Sequence, residues 1–204
     1  MKKLNFVSLV LAMGLVLAGV VAVAGAHADE NDTMTAPAIG STIEDFTLPD
    51  TDGKEHTLSS LKGKNGAVLI FVSVQCPVVQ DYNERMEKLA QDLKAQGIQV
   101  IGINANVTET PEAIKAHAAQ KNLSFPILKD HGNKIADRLG AKVTPEAYFL
   151  DAGNKLVYHG RIDNSRNAAQ VNANDLRDAV DATLAGKAVT RATANAFGCV
   201  IKRA

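Results

Sequence analysis

The feature that most constrains the fold is an apolar run that leads into a helical pattern through a cysteine and a proline. Residues 67–74 (AVLIFVSV) are almost all aliphatic or aromatic, and the run is too short for most helices. After Cys76-Pro77, apolar residues recur every three or four positions as far as Leu93, and Gly97 follows. The sequence therefore predicts a strand buried on both faces, a junction at Cys76, and a helix that begins with Pro77.

Strand and helix patterns alternate through the rest of the chain. A hairpin is predicted first, with strands at 46–48 and 56–58 around a turn at 50–53. Further strands are predicted at 99–103, 125–128, 147–150 and 155–159, and further helices from Thr110-Pro111, at 134–139 and from 172–175 to Gly186. This order predicts an α/β sandwich, with a mixed sheet flanked by helices and an N-terminal β-hairpin extension.

The first 28 residues have the pattern of a secretory signal peptide. Lys2 and Lys3 precede an apolar stretch over 6–26, and Ala26-His27-Ala28 has the small residues of a cleavage site. Because the apolar stretch is also long enough to span a bilayer, an uncleaved membrane anchor is the alternative. We expect cleavage after Ala28 and a periplasmic or secreted protein. Its parts are then a flexible leader (29–40), one domain (41–187) and a C-terminal tail (188–204) that carries Cys199.

Charge and residue content exclude several classes of protein. The chain has 22 basic and 22 acidic residues, and without Lys2 and Lys3 the basic residues number 20. Nucleic-acid surfaces and polybasic membrane patches need a basic excess, so no nucleic-acid partner is expected. Two cysteines are too few for a disulfide-stapled miniprotein or a Cys-rich zinc module. The histidines show no metal-ligand spacing, so neither a metal nor another cofactor is expected.

Cys76 is the first candidate for chemistry, because it is placed where a strand gives way to a helix. Backbone N–H groups and the helix dipole favour an anion at that position, so the thiolate should be stabilised. The alternative is that Cys76 is a small buried apolar residue without chemistry.

These features resemble the thioredoxin fold and, within it, the redoxins of the alkyl hydroperoxide reductase and thiol-specific antioxidant type. Strand-Cys76-Pro77-helix and Val143-Thr144-Pro145 before a strand are similar to the active-site cysteine and cis-proline of that fold, and residues 45–64 resemble the redoxin N-terminal hairpin. The nearest pattern is a peroxiredoxin-like subfamily with three short motifs. They are Cys-Pro-x-x-x-x-Tyr (76–82), Gly-Arg-Ile-Asp (160–163) and Gly-Cys-x-Ile-Lys (198–202).

The resemblance implies an exported thiol-dependent oxidoreductase with Cys76 as nucleophile. Its substrates would be peroxide or the disulfides of proteins or small molecules, and an external thiol would reduce it. Val79 stands where thioredoxin has its second cysteine, and Leu69 replaces the proline seven residues before the peroxiredoxin cysteine. Ser73 does occupy the Ser/Thr position three residues before Cys76. Peroxiredoxins also hold the thiolate and peroxide with an arginine, for which Arg161 is the candidate.

Cys199 has three possible roles on this sequence. It could resolve an oxidised Cys76, form a static bridge with it, or never meet it. A static bridge over so long a loop would stabilise the fold by about 4–5 kcal/mol. Gly198 gives the segment the backbone freedom to approach Cys76. A different class of function also stays open, a thioredoxin-fold binding module without redox turnover, such as a metal chaperone that uses Cys76 with His159 or Cys199.

Overall fold

The computed structural model describes residues 34–203, and the predicted signal peptide (1–28) lies outside them. Strands and helices alternate along this part of the chain, as the sequence patterns predict. The elements are β1 (Thr47–Pro49), β2 (Glu55–Thr57), α1 (Leu58–Leu61), β3 (Gly66–Phe71), α2 (Pro77–Ala95), β4 (Ile98–Asn104), α3 (Pro111–Gln120), β5 (Ile127–Lys129), α4 (Lys134–Leu139), β6 (Val143–Thr144), β7 (Glu146–Asp151), β8 (Leu156–Gly160), α5 (Asp175–Leu184) and β9 (Cys199–Val200). Two short 3₁₀ turns, His131–Asn133 and Ala168–Gln170, complete them.

A mixed sheet forms the centre of the domain. Strand β7 pairs antiparallel with both β3 and β8, whereas β4 and β5 pair in parallel. The backbone N–H of Val72, just after β3, donates to the carbonyl of Ile103, so the β4–β5 pair adjoins β3. The β1–β2 hairpin precedes this sheet. The predicted α/β sandwich with a mixed sheet is confirmed.

Strand β3 is buried on both faces, as its composition predicts. Val68 and Ile70 pack into one hydrophobic cluster, with residues of α2 and α5. Leu69 and Phe71 pack into a second cluster on the opposite face, with residues of α4 and the hairpin. Cys76 belongs to the first cluster, on the face of the sheet that α2 and α5 cover.

Several element boundaries differ from the sequence prediction by one to three residues, and three of these differences are described here. The second hairpin strand ends at Thr57, because the Thr57 side chain caps a short helix that begins at Leu58. Strand β3 stops at Phe71 instead of residue 74, since the following backbone bonds to a buried carboxylate described below. Strand β5 lies at Ile127–Lys129 instead of 125–128, in parallel register with Gly102–Asn104.

The tail and the leader both contact the domain. In the tail, Ala194 and His159 bond through their backbones, and β9 pairs antiparallel with β6. In the predicted leader, the backbone of Thr35 and Ala36 lies against Gly140. No helix within residues 34–203 is long and apolar enough to cross a membrane.

Candidate active site

Cys76 lies where the chain leaves the central sheet and enters α2. It is the N-cap residue of that helix, Pro77 occupies the first helical position, and the cysteine is only 1% exposed. Its thiol contacts the carbonyl oxygen of Thr144 at 3.2 Å. Burial raises the pKa of the Cys76 thiol, but hydrogen bonds from the Cys199 thiol and the Val79 N–H outweigh it, and the pKa is lowered. The thiolate is therefore favoured at a helix N-terminus, where N–H groups and the dipole stabilise an anion.

Strand β9 brings Cys199 to Cys76 across 123 residues of sequence. The two residues are free thiols, and their sulfur atoms are 2.7 Å apart. Burial raises the pKa of the half-buried Cys199, and so do its hydrogen bond to Cys76 and the negative charge of that residue. Cys76 is therefore the more acidic of the two thiols, and Cys199 is the donor in the hydrogen bond when Cys76 is ionised.

The approach of the tail depends on the absence of a side chain at Gly198. A Cβ at this position would lie 1.9 Å from the carbonyl oxygen of Thr144 and 2.6 Å from its carbon. The sequence analysis attributed this glycine to a need for backbone freedom. In the structure, the glycine is needed because the backbone of the tail lies directly against the backbone of Thr144.

The turn before β7 supplies the other wall of the site. The Thr144–Pro145 peptide bond is cis, and Thr144 pairs with Cys199 in the β6–β9 ladder. The buried carboxylate of Glu146, next in sequence, holds this turn. It accepts the backbone N–H groups of Lys142 (2.7 Å) and Val143 (3.1 Å) and bonds to the ring of His159 (2.6 Å).

The hydroxyl of Ser73 is engaged by a buried carboxylate. It donates to the carboxylate of Glu109 at 2.5 Å, and both side chains are buried. Glu109 also accepts the backbone N–H groups of Val74 and Gln75, so it holds the segment that leads to Cys76. Sequence reasoning missed Glu109, since it lies 36 residues from Ser73 and no local pattern marks it.

The arginine beside the cysteines is Arg166. Arg161, the candidate from the sequence, pairs through Nε with the buried carboxylate of Asp175 at 2.6 Å. Arg166 pairs with Asp81 on the first turns of α2, and its charge interacts favourably with the thiolate forms of Cys76 and Cys199. Four residues of loop (162–165) lie between the two arginines, and the path of that loop decides which one faces the site.

Two of the sequence motifs meet in one hydrogen bond. The hydroxyl of Tyr82 donates to the carboxylate of Asp163 at 2.6 Å, and Arg85 pairs with the same carboxylate. Asp163 ends the Gly-Arg-Ile-Asp motif, while Tyr82 ends the motif that starts at Cys76. The bond ties the first turns of α2 to the loop that carries Arg166.

Metal ligands do not gather at this site. Within residues 34–203, no group of three His, Cys, Asp or Glu side chains could hold a metal ion. His159, the speculative metal partner of Cys76, is bonded to Glu146 and stacks on Tyr148. The arrangement offers thiol chemistry, with one sulfur disposed to carry charge and a second sulfur in contact with it.

Comparisons with known proteins show the family of the chain. The sequence profile of the AhpC/TSA family matches residues 39–159. The chain belongs to the AhpC/TSA family. The match includes Cys76 and Pro145, whereas Arg161, Gly198 and Cys199 lie beyond it.

Relatives of the chain carry different activities in their names. The thiol-disulfide oxidoreductase ResA of Geobacillus thermodenitrificans is 30% identical over 122 residues, which are 60% of this chain and 68% of ResA. Chloroplastic peroxiredoxin Q of Sedum lineare is 30% identical over 131 residues, 60% of this chain and 69% of that protein. The crystal structure of a hypothetical protein from Sinorhizobium meliloti 1021 is 36% identical and superposes with a TM-score of 0.77, covering 83% of this chain and 97% of that one.

Proposed function

We propose that this protein is an exported thiol-disulfide oxidoreductase in which Cys76 and Cys199 cycle between two thiols and one intramolecular disulfide. The observation that carries the proposal is the 2.7 Å contact between the two sulfur atoms at the start of α2. The opposite pKa shifts of the two thiols support a division of roles, with Cys76 as nucleophile and Cys199 as resolving thiol.

The oxidising half of the cycle uses a substrate disulfide. The Cys76 thiolate attacks one substrate sulfur, the substrate S–S bond breaks, and the other half leaves as a thiolate. Cys199 then loses its proton and attacks the Cys76 sulfur of the mixed disulfide. The Cys76–Cys199 bond forms, and the second half of the substrate leaves as a thiolate, so the substrate is reduced by two electrons.

The reducing half begins at Cys199. Since Cys76 is 1% exposed and Cys199 is half-buried, an external thiolate reaches the Cys199 sulfur more readily. Its attack breaks the protein disulfide and releases Cys76 as the thiolate, which the lowered pKa makes the better leaving group. A second external thiol then frees Cys199 and leaves as part of the external disulfide.

Disulfide exchange is favoured over peroxide reduction by one contact. The hydroxyl of Ser73, at the Ser/Thr position of the peroxiredoxin pattern, donates to the carboxylate of Glu109. Peroxide reduction by Cys76 is the second candidate, and the relationship to peroxiredoxin Q supports it.

The export part of the proposal rests on the signal-peptide pattern of residues 1–28. The N-terminus of the protein recovered outside the cytoplasm is expected to be Asp29. Recovery there of a chain that still carries residues 1–28 would contradict cleavage.

The redox proposal is tested by oxidising the purified, fully reduced protein at low concentration, once with glutathione disulfide and once with hydrogen peroxide. Non-reducing digestion and mass spectrometry then locate the bonds formed. We expect an intramolecular Cys76–Cys199 disulfide that forms faster with the disulfide and is reversed by dithiothreitol. Cys199→Ser is the control and should stop at a mixed disulfide on Cys76. Intermolecular dimers alone, or a glutathione adduct on Cys76 of the parent with Cys199 still free, would overturn the resolving role.

A further inference from the structure

A buried polar network joins the two segments that carry the cysteines. At its centre is Glu109, which is 2% exposed and lies on the loop after β4. Burial raises the pKa of Glu109, but hydrogen bonds, first among them that of Ser73, outweigh it, and the pKa is lowered. The buried ammonium of Lys129 supplies positive charge nearby and bonds to Asn104 and to the backbone of Asn106. Glu109 is therefore an ionised carboxylate inside the domain, where each hydrogen bond that it accepts offsets part of the cost of burying its charge.

The first link of the network runs to the segment before Cys76. Oxygen Oε1 of Glu109 accepts the Ser73 hydroxyl (2.5 Å) and the Gln75 N–H (3.1 Å), and Oε2 accepts the Val74 N–H (3.0 Å). Three consecutive residues thus bond to one carboxylate, and the next residue is Cys76. The carboxylate fixes the backbone from which the Cys76 side chain projects.

The second link runs to the tail, through Asn106. The amide nitrogen of Asn106 donates to Glu109 at 3.1 Å, and its amide oxygen accepts the backbone N–H of Lys202 at 2.8 Å. The N–H of Val107 donates in turn to the Lys202 carbonyl at 3.1 Å. Lys202 is three residues after Cys199, and the Ile201 side chain between them is buried. The tail is therefore held on the same loop that holds the segment before Cys76.

We propose that Glu109 is a positioning residue for the cysteine pair, fixing Cys76 directly and Cys199 through Asn106, and so setting how readily the two sulfur atoms bond. The proposal rests on the proposed function, because it concerns the Cys76–Cys199 disulfide. Glu109 itself takes up no proton and touches neither sulfur. Its contribution is to the effective concentration of one thiol at the other, a quantity for which small displacements matter greatly.

The measured quantity is the equilibrium between the protein disulfide and glutathione. Two glutathione thiols are oxidised to glutathione disulfide, the Cys76–Cys199 bond breaks, and two electrons and two protons pass to the cysteines. The equilibrium constant is independent of stability changes that the oxidised and reduced proteins share. A variant that only weakens the fold therefore leaves it unchanged, whereas a variant that separates the thiols makes the disulfide easier to reduce.

Glu109→Gln places an amide nitrogen where the structure needs an oxygen that accepts hydrogen bonds. Asn106→Ala removes the side-chain link between Glu109 and the tail, and it leaves the Val107–Lys202 backbone bond and the contacts of Glu109 to 73–75 in place. Glu112→Gln is the matched control, since this exposed glutamate lies three residues from Glu109 on the first turn of α3. Each full-length variant is equilibrated in glutathione buffers, quenched with acid, alkylated and analysed by mass spectrometry, and circular dichroism verifies folding in the same buffers.

We expect the disulfide of Glu109→Gln and of Asn106→Ala to be reducible at a glutathione ratio shifted by about tenfold or more, and Glu112→Gln to match the parent. Folded Glu109→Gln with the parental constant would overturn the proposal. If Glu109→Gln does not fold, Asn106→Ala decides, and a parental constant in that variant overturns the proposal equally. A parent that forms no Cys76–Cys199 disulfide at any ratio would instead refute the proposed function.

Discussion

Gly198→Ala tests whether the close packing of the tail sets the contact between the two sulfur atoms. The new Cβ would lie 1.9 Å from the Thr144 carbonyl oxygen, whereas ordinary contact begins near 3.4 Å. The tail must therefore retreat by about 1.5 Å, because the atom it meets belongs to the backbone. A misplacement of about 1 Å can reduce an intramolecular reaction about a hundredfold, so the Cys76–Cys199 disulfide should become about a hundredfold easier to reduce. Full exposure of the buried Ile201 would cost about 1.5–3 kcal/mol, which sets the scale of the loss of stability.

The assay for Gly198→Ala is the glutathione equilibrium described above, together with thermal unfolding of the reduced protein. Gly153→Ala is the matched control, because its Cβ would meet only a side-chain oxygen of Asp151, at 3.3 Å in an exposed turn. The control should keep the parental equilibrium constant. If Gly198→Ala also keeps it, the tail tolerates the methyl group, and its packing on Thr144 is not what holds the thiols together.

Two further predictions concern ionisation. In Cys199→Ala the pKa of Cys76 should rise, because the thiol that donates a hydrogen bond to Cys76 is gone. Thiolate absorbance measured against pH gives this pKa, and Cys199→Ser, which retains a hydrogen-bond donor, is the control. An unchanged pKa in the alanine variant would contradict the assignment. Burial raises the pKa of Glu146, but hydrogen bonds from His159 and from backbone N–H groups lower it by more, so that the pKa is lowered overall. Its stabilisation is therefore complete above the ordinary value of 4.5 and is lost as pH falls through the lowered pKa. Melting temperatures should fall less steeply between pH 5 and pH 3 in Glu146→Gln than in the parent, and parallel curves would refute this.

Local chain patterns predicted the elements that carry the site, because their causes are local. The apolar run at 67–74 and the helical periodicity after Pro77 place Cys76 at a strand-helix junction whatever the rest of the chain does. Similarity to known sequences, more than physical pattern, singled out Pro145. The pairing of Cys199 stayed open at that stage, since nothing in residues 188–204 shows which strand the tail joins.

Contacts between distant segments account for what the sequence did not reveal. Glu109 is one of many acidic residues in the chain, and only the folded arrangement shows that five donors converge on it. The choice between Arg161 and Arg166 depends on how the loop before α5 turns, which the Tyr82–Asp163 bond helps to fix. In each case the decisive partner lies more than thirty residues away in the chain.

Because β9 pairs with β6, the C-terminal tail occupies the position beside the Cys76 sulfur that a partner would need. A partner that must reach the Cys76 sulfur directly therefore competes with the tail, which is part of the same chain and cannot diffuse away. Its apparent Kd is the intrinsic Kd divided by the fraction of molecules in which the tail has lifted. A tail that is open in 1% of molecules would therefore weaken such a partner by about a hundredfold. In the oxidised protein, an external thiolate that attacks the half-buried Cys199 sulfur of the disulfide avoids this penalty. The β6–β9 contact thus weakens the binding of partners to the Cys76 sulfur of the reduced protein.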